Sequence, residues 1–322
     1  MRLPSYFRNK FQRYLTNATA PLQKLAERQL LLQVLVNSNS ASPNQFGLYC
    51  AEFCAFSQWG EDGIIDWLVK CLPEIPESFV EFGVEDYRES NTRLLLQQRN
   101  WRGVIIDGSS YHIDNIRNQD IYWRYDLTAL HAFIDRENIN SLVGDAGLQG
   151  AIGLLSVDID GNDYWVWEAL EVVSPVIVVC EYNAVFGDIH PLSVPYDPLF
   201  ERTAAHHSNL CFGASLPALI GLGRRKGYTF VGTNSNGCNA FFVRDDQAKS
   251  VLGALSSIVS FPSRLRESRD VKGCTIFTSG LDRSRTIQNL PLLNTETSVS
   301  TSLAGLPEIY SPEWKASRRA ST

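Results

Sequence analysis

The sequence predicts an open α/β fold, with a seven-stranded, mostly parallel sheet, an antiparallel last strand and helices on both faces. Short apolar runs end on a glycine or a carboxylate at residues 79–83, 103–107 and 152–158. Runs of this kind are too short for helices and are typical of buried parallel strands. Between residues 79 and 246 they alternate with helical patterns, which indicates successive βα units. The last two strands flank Asn-Ser-Asn-Gly, a sequence typical of a hairpin turn.

The individual elements follow from apolar periodicity and from turn-forming residues. A helix is expected at residues 21–36, with Pro21 in its first turn, and another at 61–71 with one apolar face. Strands are expected at residues 79–83, 103–107, 121–125, 152–158, 176–180, 228–233 and 239–244. The intervening helices are expected at residues 91–99, 111–118, 129–137, 164–172 and 216–226. A long insertion, residues 184–212, follows the fifth strand and is expected to cover the site.

Three regions are predicted along the chain. Residues 1–54 are a basic, helical N-terminal extension, residues 55–246 the α/β domain, and residues 247–322 a partly mobile C-terminal extension. Because residues 291–303 are rich in Ser and Thr, they are expected to form a mobile tail or an extended wrapping arm. Residues 1–30 carry six bases and one acid, interleaved with aromatic residues. This segment either covers part of the core or forms a peripheral contact with a membrane or an acidic partner.

The composition is typical of a soluble globular protein, with 44% hydrophobic and 20% charged residues among 322. A net charge of −6 gives no reason to expect a nucleic-acid partner. No apolar run approaches the roughly 18 residues of a transmembrane segment. The seven cysteines show neither a CxxC pair nor zinc-finger spacing, which favours a reducing, cytoplasmic location. The oligomeric state stays open, and a homo-oligomer fits the sequence.

Polar residues end several of the predicted parallel strands and should therefore meet at one edge of the sheet. Ligands of open α/β sheets bind at that edge, near the point where the strand order reverses. Asp107 ends the second predicted strand, and a carboxylate there suits a ribose diol because it can accept two hydroxyl hydrogen bonds. The chain is therefore predicted to bind a cofactor that contains a nucleoside.

Several motifs resemble those of class I S-adenosylmethionine-dependent methyltransferases, and more narrowly those of the FkbM-type branch. The motifs are Ser57-Gln58-x-x-Glu61-Asp62, Glu81-Phe82-Gly83…Ser90-Asn91-Thr92, Val157-Asp158-Ile159-Asp160-Gly161-Asn162-Asp163-Tyr164 and Asn239-Ala240-Phe241-Phe242-Val243. The similarity extends over residues 55–245 and covers neither terminus. It implies a Rossmann-like fold, S-adenosylmethionine as cofactor, and in-line methyl transfer to a hydroxyl of a sugar, glycan or related small-molecule acceptor.

The resemblance also implies which residues hold the cofactor. They are Glu81, Gly83, Arg88, Asn91, Asp107, Asp126 and Asp158. Glu81 would bind near the amino-acid end, Asp107 the ribose hydroxyls, and Asp126 the region of the adenine amino group. The first loop departs from the family pattern, because only Gly83 stands where several glycines are usual; Arg88 could instead pair with the cofactor carboxylate. Glu81 at a helix N-terminus and Asp126 in a turn are alternative explanations.

Oxygen donors also cluster after the fourth and fifth predicted strands. Converging carboxylates repel one another unless they are protonated or bridged by a cation, and oxygen donors with an amide suit Mg²⁺. The set is Asp158, Asp160, Glu181 and Asn183, which looks similar to the site of some sugar and catechol O-methyltransferases. A metal there could lower the pKa of a bound hydroxyl. Alternatively, Asp160 and Asp163 cap the following helix and no metal binds.

The candidate catalytic residues are Asp158, His206 and His207. Both histidines lie in the insertion, and a base that titrates near neutral pH is a natural proton acceptor for a hydroxyl. His190 is a rival, and a plain surface position is the alternative for the histidine pair. Further candidates for the acceptor pocket are Tyr182, Tyr196 and Asp197.

Two other functions are compatible with an α/β sheet of this kind. One is a catalytically degenerate nucleotide-binding interaction protein of the same fold, which the atypical first loop favours. The other is a nicotinamide-dependent oxidoreductase. The missing GxGxxG motif after the first strand and the hairpin at the end of the sheet count against the oxidoreductase.

Overall fold

The computed structural model describes residues 47–72 and 74–317. The helix predicted at residues 21–36 and the membrane or acidic-partner contact of the basic segment lie outside the described residues. The strands are β1 (Ser78–Phe82), β2 (Arg102–Asp107), β3 (Leu127–His131), β4 (Gly150–Val157), β5 (Val173–Glu181), β6 (Leu192–Ser193), β7 (Tyr228–Thr233), β8 (Asn239–Arg244), β9 (Leu292–Asn294) and β10 (Ser300–Thr301).

The α-helices connect these strands and continue beyond the last strand of the main sheet. They are α1 (Glu61–Cys71), α2 (Arg93–Arg99), α3 (Ser110–Arg117), α4 (Asp120–Arg124), α5 (Ile139–Asp145), α6 (Asp163–Ala169), α7 (Arg202–Ala205), α8 (Leu216–Arg225), α9 (Asp245–Ala254), α10 (Arg283–Thr286) and α11 (Pro312–Ser317). Short 3₁₀ helices occupy Leu48–Ala51, Ala184–Phe186, Gly280–Asp282 and Leu303–Gly305. Within the described ranges, no helix has both the length and the apolar character that crossing a membrane requires.

The main sheet has seven strands in the order β3-β2-β1-β4-β5-β8-β7. Strands β1 to β5 pair in parallel, whereas β8 is antiparallel to both of its neighbours, β5 and β7. The predicted fold class, a mostly parallel seven-stranded sheet with an antiparallel last strand, is confirmed. The strand order reverses between β1 and β4, which is where open α/β sheets hold their ligands.

Hydrophobic cores lie on both faces of the sheet, because side chains alternate along each strand. Val80 of β1 contributes to one core together with Trp167 of α6, whereas Phe79 contributes to the other together with Trp67 of α1. All four side chains are at most 1% exposed. Helices therefore cover both faces and leave the strand ends as the accessible part of the sheet.

The third strand differs from its predicted position. Residues 121–125 lie in α4 and its C-terminal flank. Strand β3 is Leu127–His131, so it overlaps the first residues of the helix that the sequence predicts over 129–137. The sequence Ile-Tyr-Trp-Arg-Tyr favours a strand by local propensity, but pairing with β2 selects the next segment, with Leu127 opposite Gly103. Asp126 therefore precedes β3 and lies at the amino end of the sheet, not at the edge where β1 and β2 end.

The described part of the C-terminal extension is a wrapping arm. Strand β9 pairs with β10 and with β6 of the insertion in a small antiparallel sheet, so both strands within the Ser/Thr-rich residues 291–303 belong to this sheet. Further along, Tyr310 and Trp314 are buried in the core that also contains Trp167. Residues 291–303 therefore lie against the insertion, and the partial mobility expected of the C-terminal extension stays a prediction.

Candidate functional site

A cavity of about 640 Å³ opens at the carboxyl edge of the sheet, at the reversal of strand order. It is lined by the segments that follow β1, β2, β3, β4 and β5, by the insertion, and by Leu265 and Glu267 of the C-terminal arm. Nine of the lining side chains are Asp or Glu, and Arg202 is the one Arg or Lys among the described lining residues. The volume is typical of a small-molecule site, and the charge favours a cationic ligand.

Strand register places the acidic residues side by side at this edge. Phe82 pairs with Ile106, so Gly83, which follows β1, lies beside Asp107, the last residue of β2. Val157 pairs with Cys180, so Asp158 and Glu181 also emerge as neighbours. The sequence predicts that these residues share an edge, and the parallel register makes them adjacent.

Gly83 is required by the close approach of two loops. Its φ is +70°, and a Cβ added there would lie 1.7 Å from the carbonyl oxygen of Asp158. Glycine tolerates this conformation and leaves room for the other backbone. Gly83 therefore holds the loops after β1 and β4 together at the point where the strand order reverses.

Glu81 organises the loop that follows β1. Its carboxylate accepts hydrogen bonds from Ser90 Oγ (2.6 Å), Thr92 Oγ1 and the Asn91 backbone N–H (2.8 Å). Burial raises the pKa of Glu81, and these hydrogen bonds oppose the rise. The Asn91 amide donates to Ser156 Oγ of β4. Glu81 and Asn91 both line the cavity, and their hydrogen bonds fix the loop onto β1 and β4.

Asp107 lies on the cavity wall at the end of β2. Its two carboxylate oxygens accept one backbone hydrogen bond each, from the N–H groups of Glu85 and Ser109, both at 2.8 Å. His112 Nδ1 lies 3.4 Å from Asp107 Oδ1. Since a carboxylate oxygen has two lone pairs, each oxygen can still accept a hydroxyl. The arrangement fits the predicted contact with a ribose diol.

Phe133 and Ile134, which follow β3, supply apolar wall beside Asp107. The Phe133 side chain is 50% exposed, so it presents a free aromatic surface. The sequence reasoning missed both residues because it assigned this segment to a helix. The signal for this strand is the short run Leu-Thr-Ala-Leu-His at residues 127–131, along which buried and more exposed residues alternate as in a strand.

Asp158, Asp163 and Glu181 form a carboxylate cluster in which one oxygen from each lies within 4.8 Å of the others. Burial, together with the neighbouring carboxylates, raises the pKa values of Asp158 and Glu181 well above their usual range. Burial also raises the pKa of Asp163 to about 6. Glu181 Oε2 is buried and has no hydrogen-bond donor. A shared proton or a bound cation would relieve this repulsion.

The cluster differs from the predicted metal set at two positions. Asp160 is exposed and forms an ion pair with Arg202, and its left-handed φ of +56° belongs to the tight loop after β4. Asn183 lies 2% exposed, where its amide donates to the carbonyls of Leu210 and Phe212 and accepts from Val185 N–H. Asp163, which accepts from the N–H groups of Ile159 and Gly161, faces the cluster instead.

Arg202, which the sequence reasoning missed, joins three parts of the chain over the cluster. Its guanidinium forms ion pairs with Asp160 of the β4 loop and, at 3.8 Å, with Glu267 of the C-terminal arm. Its Nε donates to the Asn209 carbonyl, and its guanidinium carbon lies 3.8 Å from the centre of the Phe212 ring. Burial lowers the pKa of Arg202, but the carboxylates of Glu181 and Asp160 outweigh it and raise the pKa.

The motif Ser57-Gln58-x-x-Glu61-Asp62 shapes the mouth of the cavity. Asp62 Oδ2 accepts three backbone hydrogen bonds of 2.6–2.7 Å from residues 55–57 and a fourth from Ser57 Oγ. Glu61 accepts from the side-chain amides of Asn234 and Asn239. These contacts fix the loop that carries Trp59 along the cavity wall.

The structure does not bring the predicted histidines to the cavity. The rings of His206 and His207 contact each other in the insertion, with centres 4.0 Å apart and planes tilted by 40°, and His206 Nδ1 bonds to Ser208 Oγ. Neither lines the cavity, and His190 does not either. Burial and the neighbouring His207 lower the pKa of His206. The histidine on the wall is His112, beside Asp107.

Other predicted site residues also point elsewhere. Arg88 is 75% exposed in its side chain and pairs with Asp86 outside the cavity. Asp126 is similarly exposed and pairs with Arg102 at the amino edge of the sheet. Among the acceptor-pocket candidates, Tyr182 is buried and donates to the Phe261 carbonyl, whereas Tyr196 bonds to Glu137. Neither tyrosine lines the cavity, and Asp197 contributes only its backbone carbonyl to hold Asn162.

Comparisons with known proteins give similar structures at low identity. No family model matches the sequence, and no curated protein matches it. The N-terminal domain of EvdMO1 with SAH bound is 10% identical, covers 67% of this chain and 96% of its own, and has a TM-score of 0.39. A S-adenosylmethionine-dependent methyltransferase from Clostridium acetobutylicum is 10% identical, with coverages of 57% and 90% and a TM-score of 0.36. An O-methyltransferase from Bacillus cereus in complex with SAH is 12% identical, with coverages of 67% and 89% and a TM-score of 0.35.

Two of these neighbours are described as methyltransferases, and two were solved with SAH bound. Scores and identities at this level assign neither a family nor a substrate to this chain.

Proposed function

We propose that this protein transfers a methyl group from S-adenosylmethionine to a hydroxyl of a sugar, glycan or related small molecule. One observation carries the proposal. A single cavity at the reversal of strand order contains Asp107 at one end and, at the other, the carboxylate pair of Asp158 and Glu181. The first suits a nucleoside, and the second suits a reacting hydroxyl and its proton.

The lining residues fit the cofactor in shape and charge. Asp107 would accept the ribose hydroxyls through its remaining lone pairs, and Phe133 with Ile134 would pack against the base. The excess of carboxylates would attract a sulfonium and an ammonium group. Gly83 and the loop ordered by Glu81 and Asn91 would enclose the amino-acid end. The adenosyl cofactor supplies the chemistry that the chain lacks, an electrophilic methyl group on a positively charged sulfur.

The chain's own residues would align the acceptor and take up its proton. Methyl transfer is an in-line displacement, so holding the hydroxyl in line and excluding water contribute most of the acceleration. A carboxylate whose pKa is raised by burial is a better proton acceptor than an ordinary one. We assign this role to the pair of Asp158 and Glu181, because neither His206 nor His207 lines the cavity.

The same carboxylates fit a divalent cation. We propose Asp158, Asp163 and Glu181 as ligands for Mg²⁺, because hard oxygen donors with an unpartnered buried Glu181 oxygen match its preference. This set replaces Asp160 and Asn183 with Asp163. Bound there, the cation would replace the shared proton in offsetting the repulsion among the three carboxylates. It would then lower the pKa of a substrate hydroxyl itself, as the alternative to proton uptake by Asp158 and Glu181.

A second candidate function is supported by the first loop. Glu85 and Tyr87 adopt left-handed backbone conformations, with φ values of +46° and +60°, and the Glu85 N–H is already bonded to Asp107. Because its Glu85 N–H is already used by Asp107, the loop offers fewer free N–H groups to a cofactor. It favours a catalytically degenerate nucleotide-binding protein of the same fold.

Calorimetric titration with S-adenosylmethionine tests the proposal. The wild type should bind, and Asp107→Ala should weaken binding by about 1.5–3 kcal/mol, the usual contribution of hydrogen bonds to a charged group. The matched control is Asp126→Ala, an exposed strand-flanking aspartate at the opposite edge, which should bind like the wild type.

Failure of the wild type to bind, or equal losses in both variants, would contradict the cofactor assignment. Mass-spectrometric detection of methyl transfer to a panel of hydroxyl compounds then separates the two candidates. Cofactor binding without turnover on any acceptor favours the degenerate protein.

A further inference from the structure

Resting on the proposed function, we infer that the acceptor is an uncharged or amine-bearing polyol, and that phosphorylated and carboxylated acceptors are excluded. The inference concerns the half of the cavity beyond Asp158, which the β4 and β5 ends, the insertion and the C-terminal arm enclose. The hydrogen-bonding capacity and the charge of this half both favour such an acceptor.

Two buried amide oxygens in this half lack hydrogen-bond donors. They are Asn162 Oδ1 and Asn239 Oδ1, on lining residues that are 3% and 7% exposed. The orientation of each amide is fixed by its nitrogen, since Asn162 Nδ2 donates to the Asp197 carbonyl and Asn239 Nδ2 to Glu61. Buried acceptors of this kind are normally satisfied. A hydroxyl or ammonium group of a ligand would satisfy them, whereas an ionised phosphate or carboxylate group placed against them would not, because it has no hydrogen to donate.

The cation in this half is not free to bind an anion. The guanidinium of Arg202 is shared between Asp160, Glu267 and the Asn209 carbonyl, and Phe212 covers one of its faces. Bidentate recognition of a phosphate or carboxylate needs two free parallel N–H groups. The positive charge of Arg202 therefore offsets the negative charge of the protein's own carboxylates, and its guanidinium does not form a binding site for an anionic acceptor.

The remaining charges around this half repel anions. Asp160 and Glu267 line it as exposed carboxylates, and together they outnumber the single charge of Arg202. Juxtaposed like charges disfavour a wrong partner by several kcal/mol, which is on the order of 100-fold or more in affinity. The cavity thus selects against anionic acceptors by repulsion as well as by unmatched hydrogen bonds.

Ligand-observed NMR on protein saturated with S-adenosylhomocysteine tests the inference. The probes are four matched sugars: glucose, glucosamine, glucuronate and glucose 6-phosphate. Glucose and glucosamine should give saturation-transfer signals, and the two anionic sugars should bind at least about tenfold more weakly. Equal or stronger binding of the anionic sugars would overturn the inference, as would the absence of any signal from all four.

A charge variant provides a gain-of-binding test. Asp160→Asn removes a partner of Arg202, so glucose 6-phosphate should now bind at least about tenfold more tightly than to the wild type. The control is Asp126→Asn, which removes an exposed carboxylate beside Arg102, and it should leave glucose 6-phosphate binding unchanged. Identical behaviour of the two variants would refute the role given to Arg202.

Calorimetry with S-adenosylhomocysteine is performed first on every sample. A protein that fails to bind it refutes the proposed function itself. A protein that binds it but accepts anionic sugars refutes only the inference about the acceptor.

Discussion

Gly83→Ala should lower both the stability of the protein and its affinity for the cofactor. Gly150→Ala is the matched control, which separates the effect of the backbone conformation from the effect of the steric contact. Both glycines have a left-handed backbone, with φ values of +70° and +73°. A Cβ at Gly83 would lie 1.7 Å from the Asp158 carbonyl oxygen, whereas a Cβ at Gly150 would meet nothing within 4 Å. Gly150 lies at the opposite end of β4. The pair therefore differs in the steric contact and in its distance from the site.

The expected free-energy changes follow from this geometry. A left-handed alanine costs about 1–2 kcal/mol in either variant, and the reduced freedom of the unfolded chain offsets about 0.4–1 kcal/mol of it. At Gly83 the Asp158 carbonyl must also move by more than an ångström, because real Cβ atoms essentially never come closer than 3.0 Å to another atom. Overpacking of this kind adds about 1–3 kcal/mol. Gly83→Ala should thus be less stable than Gly150→Ala by that amount.

Thermal denaturation and calorimetry measure the two consequences. Each kcal/mol should lower Tm by about 2–4 °C in a domain of this size. Because the shift moves Asp158, S-adenosylmethionine binding should weaken at least about tenfold, or 1.4 kcal/mol, in Gly83→Ala only. Equal Tm values and equal affinities in the two variants would refute the claim that Gly83 serves the contact between the loops after β1 and β4.

Three further predictions follow from the contacts of the described residues. The wild type should bind Mg²⁺ or Mn²⁺ in a titration. Asp158→Asn should abolish this binding and Asp160→Asn should largely keep it, because of these two residues only Asp158 belongs to the carboxylate cluster. The opposite result would favour the ligand set predicted from the sequence, which includes Asp160. Asp62→Asn should lower the unfolding free energy by about 1.5–3 kcal/mol, since Asp62 accepts three backbone hydrogen bonds. Chemical denaturation checks this against Asp120→Asn, an exposed ion-pair residue whose loss should have little effect. Trp314→Ala should lower the unfolding free energy by about 3–5 kcal/mol and expose the C-terminal arm to limited proteolysis, because Trp314 is 2% exposed in the core that contains Trp167. Unchanged protease sensitivity would show that the arm stays in place without this side chain.

The strands that form the site were predictable because their signals are local. Buried parallel strands read as short apolar runs, and an acid or glycine at the end of a run marks the carboxyl edge. Gly83, Asp107 and Asp158 were found in this way, and all three line the cavity. The hairpin of β7 and β8 was equally clear, since Asn-Ser-Asn-Gly separates its strands.

The third strand shows where a local signal fails. The segment Ile121–Tyr125 has aromatic, strand-favouring residues, yet it lies largely in α4. The strand beside β2 is Leu127–His131, which has fewer residues of that kind. β-propensity depends on the neighbouring strand, which the local sequence does not contain. The error moved Asp126 to the wrong edge and hid Phe133.

By itself, the sequence determined the seven-stranded, mostly parallel sheet with its terminal hairpin, and the acids that end β2, β4 and β5. Only the tertiary structure decided which of those acids are already satisfied. Asn183 is bonded to the carbonyls of Leu210 and Phe212, whereas Glu181 keeps an unpartnered buried oxygen. Arg202 likewise reaches Glu267 only when the insertion and the C-terminal arm fold over the same edge. A strand forms from neighbouring residues, but the charge balance of a site depends on groups that are distant in sequence and meet only after folding.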